Sequence, residues 1–416
     1  MRITILALGS RGDVQPFVPL GKALREAGHQ VRVATFEAFS SMIRAAGLDF
    51  APIHGDAQQL LNTAAQGDLL TKRTTPLQTI RALKRSYGTL ANSLPHYIAA
   101  LQECDLVLNQ LPAHLFGNDF AEYLGVPWAI VAVIPVVRTR FHPLIGFPSA
   151  FSWMPSYNLL TYRLAEQLGW QLFRRAVNRL RTENWKLAPA PFWGPYEAVH
   201  QQRISFICGF SSHVVPRPLD WGSHVHLTGW WYPDDPQWQP PADLQRFVES
   251  GSPPVFIGFG SMPVSNASSI TTLLVDAVRL SGQRAILHAG WAGLGGALPP
   301  EILPINYAPY SWLFPRMAAV VHHGGSGTTG FGFRSGIPSI IVPFGFDQFY
   351  WGTRAAEMGV GPKPVPYRQL TAERLASTIH IAVSDRGIRD RAADLCRRLI
   401  AENGVQRAVE IIQKLQ

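Results

Sequence analysis

The chain is poor in cysteine, modest in charge and free of any long apolar run. Its three cysteines, Cys104, Cys208 and Cys396, lie far apart in 416 residues. They form neither a clustered disulfide framework nor a zinc-ligand spacing, which excludes a disulfide-stapled secreted module and points to a reducing, cytoplasmic setting. Nowhere do about 18 uncharged apolar residues follow one another, so no bilayer-spanning helix is expected. The opening "MRITILALGS" holds too short an apolar stretch for a secretory signal and runs straight into a glycine turn, so it reads as a first strand. The net charge of +9 comes from scattered arginines, without a Lys/Arg run of the kind that grips nucleic acid. Phosphorylated ligands or anionic lipid suit that balance better. There is no D-x-D and no Asp/Glu/His cluster with metal spacing, so no metal site is expected. A Walker A lysine pattern is missing, and no G-x-G-x-x-G follows the opening strand of either half. P-loop hydrolysis and ordinary dehydrogenase chemistry are thereby disfavoured.

What is present is a well-cored composition, 47% hydrophobic with 12 tryptophans, arranged as short apolar runs alternating with helical stretches. That alternation predicts parallel, doubly wound sheets. In the first half, Arg2 to Leu8, Val31 to Phe36, "CDLVLNQ", "VPWAIVAVIP", "ISFICGF" and "HVHLTGWW" read as strands, and Phe17 to Ala27 and Phe116 to Leu124 as helices. In a long helix from about Tyr157 to Lys186, Leu160, Leu164, Leu168, Leu172, Ala176 and Leu180 recur every fourth residue, a stripe expected to pack on the sheet. The second half restarts with "PPVFIGFGSM" and supplies "RAILHAG", "ILPINYA", "AAVVHHG" and "PSIIVPF". Two Rossmann-like domains are therefore expected, over 1–235 and 254–416, joined by a proline-rich linker at about 236–253. The last helix is expected to be able to fold back on the first domain.

Ligands in such sheets bind beyond the carboxyl ends of the strands. Three glycine-rich loops occupy those positions: "GSRGD" (Gly9, Ser10, Arg11, Gly12 and Asp13), "GFGSM" with Ser261, and "HHGGSGTTG" with His323, Gly325, Ser326, Gly327 and Thr328. One such turn is weak evidence, since tight strand-to-helix connections use glycine in any case. Three together favour a backbone that approaches phosphate at a helix start, where His323 is either a buried, hydrogen-bonded histidine or, flanked by Gly324, Gly325 and Ser326, a donor to a phosphate oxygen. Asp13 could cap the helix after Pro16, but among glycines at a loop mouth a general base is the better reading. His322 should point the other way and be structural. Asp347 could merely cap a helix; with Gln348 it makes a pair suited to vicinal sugar hydroxyls.

The stretches "GSRGDVQPFVPLGKALREAGH", "VVPRPLDWGSHVHLTGWW", "PVFIGFGSM" and "SWLFPRMAAVVHHGGSGTTGFGFRSGIPSIIVPFGFDQFYWG" resemble the sterol 3-beta-glucosyltransferases of bacteria, fungi and plants. The wider group is the GT-B-fold nucleotide-sugar glycosyltransferases that also decorate antibiotics. The resemblance implies two Rossmann-like domains facing across a cleft, the acceptor on the first and a UDP-sugar, glucose first, on the second. It implies an inverting, metal-independent transfer with Asp13 as catalytic carboxylate. Diphosphate contacts fall on Ser261, His323, Gly325, Ser326, Gly327 and Thr328, sugar contacts on Asp347 and Gln348, and the nucleobase slot on Tyr307 and Trp312. Phe346 stands where relatives commonly have glycine, and Ser326 where they often have alanine. Phe151 and Trp153, in the proline-bounded "FPSAFSWMPSY", suit a flat apolar acceptor such as a sterol, and nearby arginines suit peripheral association with anionic membrane. A transferase acting on a polyketide, macrolide or glycopeptide, a sugar-nucleotide epimerase of the same fold, and a non-catalytic sugar-nucleotide-binding homologue remain as alternatives.

Overall fold

The structure, a computed structural model, describes residues 1–55, 94–110, 117–233, 237–262, 264, 266–290 and 298–415. The described residues up to 233, with 403–415, form one compact unit, and those of 237–402 form a second. Residue 116, the expected start of one helix, and residue 236, the expected start of the linker, lie outside the described residues.

The first unit is built on seven parallel strands: β1 (Arg2–Leu6), β2 (Gln30–Phe36), β3 (Asp49–Ile53), β4 (Leu106–Gln110), β5 (Trp128–Ala132), β6 (Phe206–Cys208) and β7 (Val225–Leu227). They lie in the order β3-β2-β1-β4-β5-β6-β7. The central strands are continuous apolar runs because helices cover both faces of a parallel sheet. β3 is a strand the sequence reading missed: in "DFAPI" only Ala51 and Ile53 are buried, as at a sheet edge. The helix Gly404–Ile412 belongs to this unit and packs on the helix Phe17–Glu26. A side chain at Gly404 would stand 2.7 Å from the Trp230 carbonyl, and the Gly404 carbonyl accepts from Trp231 Nε1 at 3.2 Å.

The second unit holds five parallel strands, β8 (Val255–Gly258), β9 (Ala285–His288), β10 (Ile302–Ile305), β11 (Ala319–His322) and β12 (Ser339–Ile341), in the order β10-β9-β8-β11-β12. Its core packs Ile257, Leu287, Val321 and Ile340 of the sheet against Leu274, Leu375 and Ile379 of the helices Ala267–Ser281 and Ala372–Ser384. Part of the stretch read as linker is the helix Ala242–Glu249, whose Leu244 is buried.

In both sheets the strand order reverses at one place, beside β1 and β4 in the first and beside β8 and β11 in the second. A crevice opens at such a reversal because the connections on its two sides run in opposite directions. The loops after β1, β8 and β11 are the three glycine-rich loops.

The expected leucine stripe is corrected. The helix Pro155–Arg179 buries Asn158, Thr161, Tyr162, Gly169, Trp170, Phe173 and Val177, while Leu160, Leu164 and Leu168 stand about half exposed (49%, 52% and 48%). Bulky aromatics on the opposite face fill the core, so the leucines are turned outward.

Candidate active site

In the first unit, β1 gives way at Gly9 to a four-residue helix, Arg11–Val14, that carries Asp13. Asp13 Oδ2 accepts from the Ser10 backbone N–H at 2.7 Å and from Ser10 Oγ at 2.9 Å. Asp13 does not cap the helix after Pro16, whose N-cap is Pro16 itself; one of its oxygens holds the turn at Ser10 instead. Oδ1 takes a long bond, 3.5 Å, from Gln110 Nε2. Gln110 is itself buried at the end of β4, and its Oε1 accepts from the Leu8 N–H at 3.1 Å. Burial pushes the Asp13 carboxyl above the ordinary carboxylate range, against the bonds from Ser10 and Gln110 that favour its charge.

The backbone at Gly9 has φ +132°, and a side chain there would meet Asp13 Oδ2 at 2.3 Å. Glycine is required because the carboxylate occupies the space of its side chain. Gly12 has no such constraint: its nearest neighbour would be Ser10 Oγ at 3.7 Å. Gln110 was missed from sequence, although a polar Asn-Gln ending the apolar "LVLNQ" was a signal.

In the second unit, β8 and β11 pair directly, with Gly258 opposite His322, so their following loops lie side by side. The His323 ring fills the space between them. A side chain at Gly260 would stand 3.0 Å from His323 Cε1, and one at Gly325 would stand 2.6 Å from His323 Nε2. His323 Nδ1 is buried without a partner. Burial drives this imidazole down to about 4, so it is neutral near pH 7 and donates through a single N–H. His322 is structural as expected: it is fully buried, and its Nδ1 accepts from the Gly324 N–H at 3.1 Å.

The helix Ser326–Arg334 begins at Gly325, which has no side chain to cap it. Its first-turn N–H groups and dipole form an anion-binding end. Ser326 is buried at this start, Gly327 and Thr328 are half-buried, and a side chain at Gly327 would meet nothing within 4 Å. Ser261 is half-buried on the turn after β8.

The Asp347–Gln348 pair divides. Asp347 is half-buried at the start of the helix Gln348–Glu357, and its Oδ2 accepts from Trp351 Nε1 at 2.9 Å. Gln348 is 3% exposed and works inward. Its Oε1 accepts from the Phe344 and Gly345 N–H groups at 2.7 and 3.3 Å, and its Nε2 donates to Met262 Sδ at 3.1 Å. It ties the turn after β12 to the loop after β8. Phe346 lies between them at φ +51° with its ring 59% exposed, a left-handed backbone that a bulky side chain seldom adopts.

Of the expected nucleobase residues, Tyr307 is exposed, whereas Trp312 lies under the Arg316 guanidinium at 4.5 Å and against Trp238 at 5.3 Å. In the first unit, Phe151 and Trp153 are exposed on the turn that precedes the helix Pro155–Arg179. Asn158 holds that turn through Nδ2 to the Ser152 carbonyl, 2.7 Å, and Tyr157 through its hydroxyl to the Pro148 carbonyl, 2.9 Å.

Known proteins match this arrangement along the whole chain. Residues 3–143 fit the Glycosyltransferase family 28 N-terminal domain, and residues 273–415 the C-terminal domain of the erythromycin biosynthesis protein CIII-like family. Sterol 3-beta-glucosyltransferase UGT80B1 of Arabidopsis thaliana is 35% identical over 430 residues, covering 100% of this chain and 68% of the relative. The sterol 3-beta-glucosyltransferase of Neosartorya fischeri is 33% identical over 100% of this chain, which spans only 29% of that protein. Among solved structures, the glycotransferase of kitacinnamycin superposes with a TM-score of 0.72 at 19% identity, covering 100% of this chain and 98% of that one. SsfS6 of Streptomyces sp. SF2575, complexed with thymidine diphosphate, does so at 0.65 and 21% identity, covering 100% and 99%. These distant structural likenesses carry the fold, two parallel-sheet units of the GT-B type, and the closer sequence matches carry the family. The chain belongs to the sterol 3-beta-glucosyltransferase family of GT-B glycosyltransferases.

Proposed function

We propose that this protein transfers glucose from UDP-glucose to the hydroxyl of a sterol-like acceptor, with inversion at the anomeric carbon and without a metal ion. The observation that carries the reading is the divided carboxylate of Asp13. Oδ2 is fixed by Ser10 at 2.7 and 2.9 Å, while Oδ1 keeps, among the described residues, only the long bond from Gln110 and so can accept a proton.

The acceptor hydroxyl ionises far above any carboxylate, so Asp13 takes its proton only as the new C–O bond forms. Such assistance contributes roughly 10²–10⁴-fold. Holding the carboxyl above its ordinary pKa makes it a better acceptor in that step. The new bond forms between the acceptor oxygen and the anomeric carbon as the bond from that carbon to the diphosphate oxygen breaks. Attack opposite the leaving group inverts the centre, and the electron pair leaves with UDP. The helix start at Ser326 and the neutral N–H of His323 are suited to that growing charge. Asp347 would meet the sugar. Gln348 would contribute by holding the 344–345 turn and not through its carbonyl oxygen, which that turn already occupies. Tyr307 is the ring we assign to the nucleobase, and Phe151 and Trp153 to the acceptor. A cytoplasmic enzyme working at a membrane face fits such an acceptor.

The test is UDP release with cholesterol and ergosterol against phenolic, macrolide and peptide acceptors, with UDP-glucose and dTDP-sugars as donors. A β-glucoside of the sterol, identified by NMR, is expected. Preference for a dTDP-sugar and a macrolide would replace this reading with natural-product glycosylation. Donor binding without turnover on any acceptor would leave a non-catalytic homologue.

A further inference from the structure

The outward leucines of the helix Pro155–Arg179 do nothing for the core, and leaving them in water forgoes about 25 cal/mol per Å² of apolar surface. Steps of four residues rotate the helix by about 40°, so Leu160, Leu164 and Leu168 form one narrow outward band. About three turns further, roughly 16 Å along the axis, Arg175 and Arg179 fall on the lines of Leu164 and Leu168. Both arginines are exposed, and Arg179 also faces Glu183 Oε1 at 3.8 Å. The face is therefore apolar at its N-terminal end and cationic at its C-terminal end.

Its borders are aromatic. Trp153, 76% exposed, stands just before the helix. Phe192 and Trp193, also exposed, are fastened beside it because the Phe192 carbonyl accepts from Trp170 Nε1 at 3.0 Å and Gln171 Nε2 at 2.8 Å. The helix contains a single acid, Glu166, and that residue is turned to the other side, where it meets Arg138 Nε at 2.8 Å and His200 at 3.4 Å.

We propose that this face is a docking surface for an anionic lipid bilayer, with the leucines and Trp193 entering the headgroup boundary and Arg175 and Arg179 meeting lipid phosphates. Exposed tryptophan beside an apolar band that carries no acid among its leucines, with cations at its end and Glu183 only one turn beyond them, is the chemistry of an interfacial helix. Two weak signals act together: inserted leucine surface, and about 1 kcal/mol for each arginine near a negative leaflet. A folded protein partner would have to offer an acidic rim around an apolar groove, whereas a bilayer supplies both along any length. The inference rests on the proposed sterol reading only for its purpose, since the bilayer is where a sterol resides; docking itself is measured separately.

The experiment is sedimentation of the full chain with vesicles of phosphatidylcholine alone or with phosphatidylserine, at low and high salt. The variants are Leu164→Glu and Arg175→Glu, both checked for an unchanged melting temperature. We expect wild-type binding to the phosphatidylserine vesicles that weakens with salt, and a loss of at least about tenfold in either variant. Transfer to detergent-dispersed sterol should be unchanged in both variants, and transfer to vesicle-embedded sterol should fall. Wild-type vesicle binding by both variants overturns the proposal. So does a concentration-dependent dimer that Leu164→Glu dissociates, which would make the face an interface between copies. Vesicle binding lost in the variants, with no sterol glucosylated under any condition, upholds the docking face and removes the sterol reading alone.

Discussion

Replacing Gly9 by alanine tests the first loop at its most constrained point. The new methyl would stand 2.3 Å from Asp13 Oδ2, 2.6 Å from Cγ and 2.9 Å from Cβ, where ordinary contact begins near 3.4 Å. The carboxylate must therefore retreat by about 1 Å, or the backbone must abandon φ +132°. Either movement breaks the 2.7 and 2.9 Å bonds from Ser10 that hold Oδ2. A misplacement of about 1 Å at a catalytic group costs on the order of 10²-fold, equivalent to about 2.7 kcal/mol of transition-state stabilisation. The left-handed backbone adds about 1–2 kcal/mol of lost stability. Steady-state UDP release should show kcat reduced about a hundredfold. UDP affinity, measured by calorimetry, should be unchanged because the loop we assign to the diphosphate belongs to the other unit. Gly12→Ala, whose methyl meets only Ser10 Oγ at 3.7 Å, should lose far less. Turnover near wild type in a folded Gly9→Ala protein would refute the claim that Asp13 must stay where Ser10 holds it.

Asp13→Asn should keep the fold and UDP affinity and lower turnover by roughly two or more orders of magnitude. Because the carboxyl is held above its ordinary value, kcat/KM in the wild type should fall as pH drops through that raised pKa, where the base becomes protonated. The same sign makes the ionised group a cost to folding at neutral pH, so Asp13→Asn should melt no earlier than wild type; a markedly lower melting temperature contradicts this. His323→Ala and Gly325→Ala should each weaken UDP binding, the second because its methyl would stand 2.6 Å from His323 Nε2, and transfer should persist in excess EDTA. Abolition by EDTA with rescue by magnesium would overturn the proposed diphosphate site. Phe346→Gly relieves a left-handed phenylalanine and should raise stability or leave it unchanged, where most substitutions lower it. A loss of about 2 kcal/mol in denaturant unfolding would show instead that the exposed ring is held by packing.

The sequence by itself determined the local features. Buried parallel strands must be apolar runs, a helix start that receives phosphate must be glycine-rich, and both signals lie within a few consecutive residues. Hence the two sheets and the three glycine loops that carry Asp13 and His323 were legible, along with His322 as a buried residue of β11. Which strands become neighbours is a different matter, because it depends on contacts between distant parts of the chain. Only the adjacency of β1 and β4 brings Gln110 to Asp13, across 97 positions. Only the adjacency of β8 and β11 lays Gly260 against His323 and lets Gln348 reach Met262. The leucine stripe shows the limit of periodicity. The helix Pro155–Arg179 carries apolar residues on two faces, and spacing cannot say which one faces the core. The volumes of Trp170 and Phe173, fully buried on the inner side, decided that, and so left Leu160, Leu164 and Leu168 on the outside.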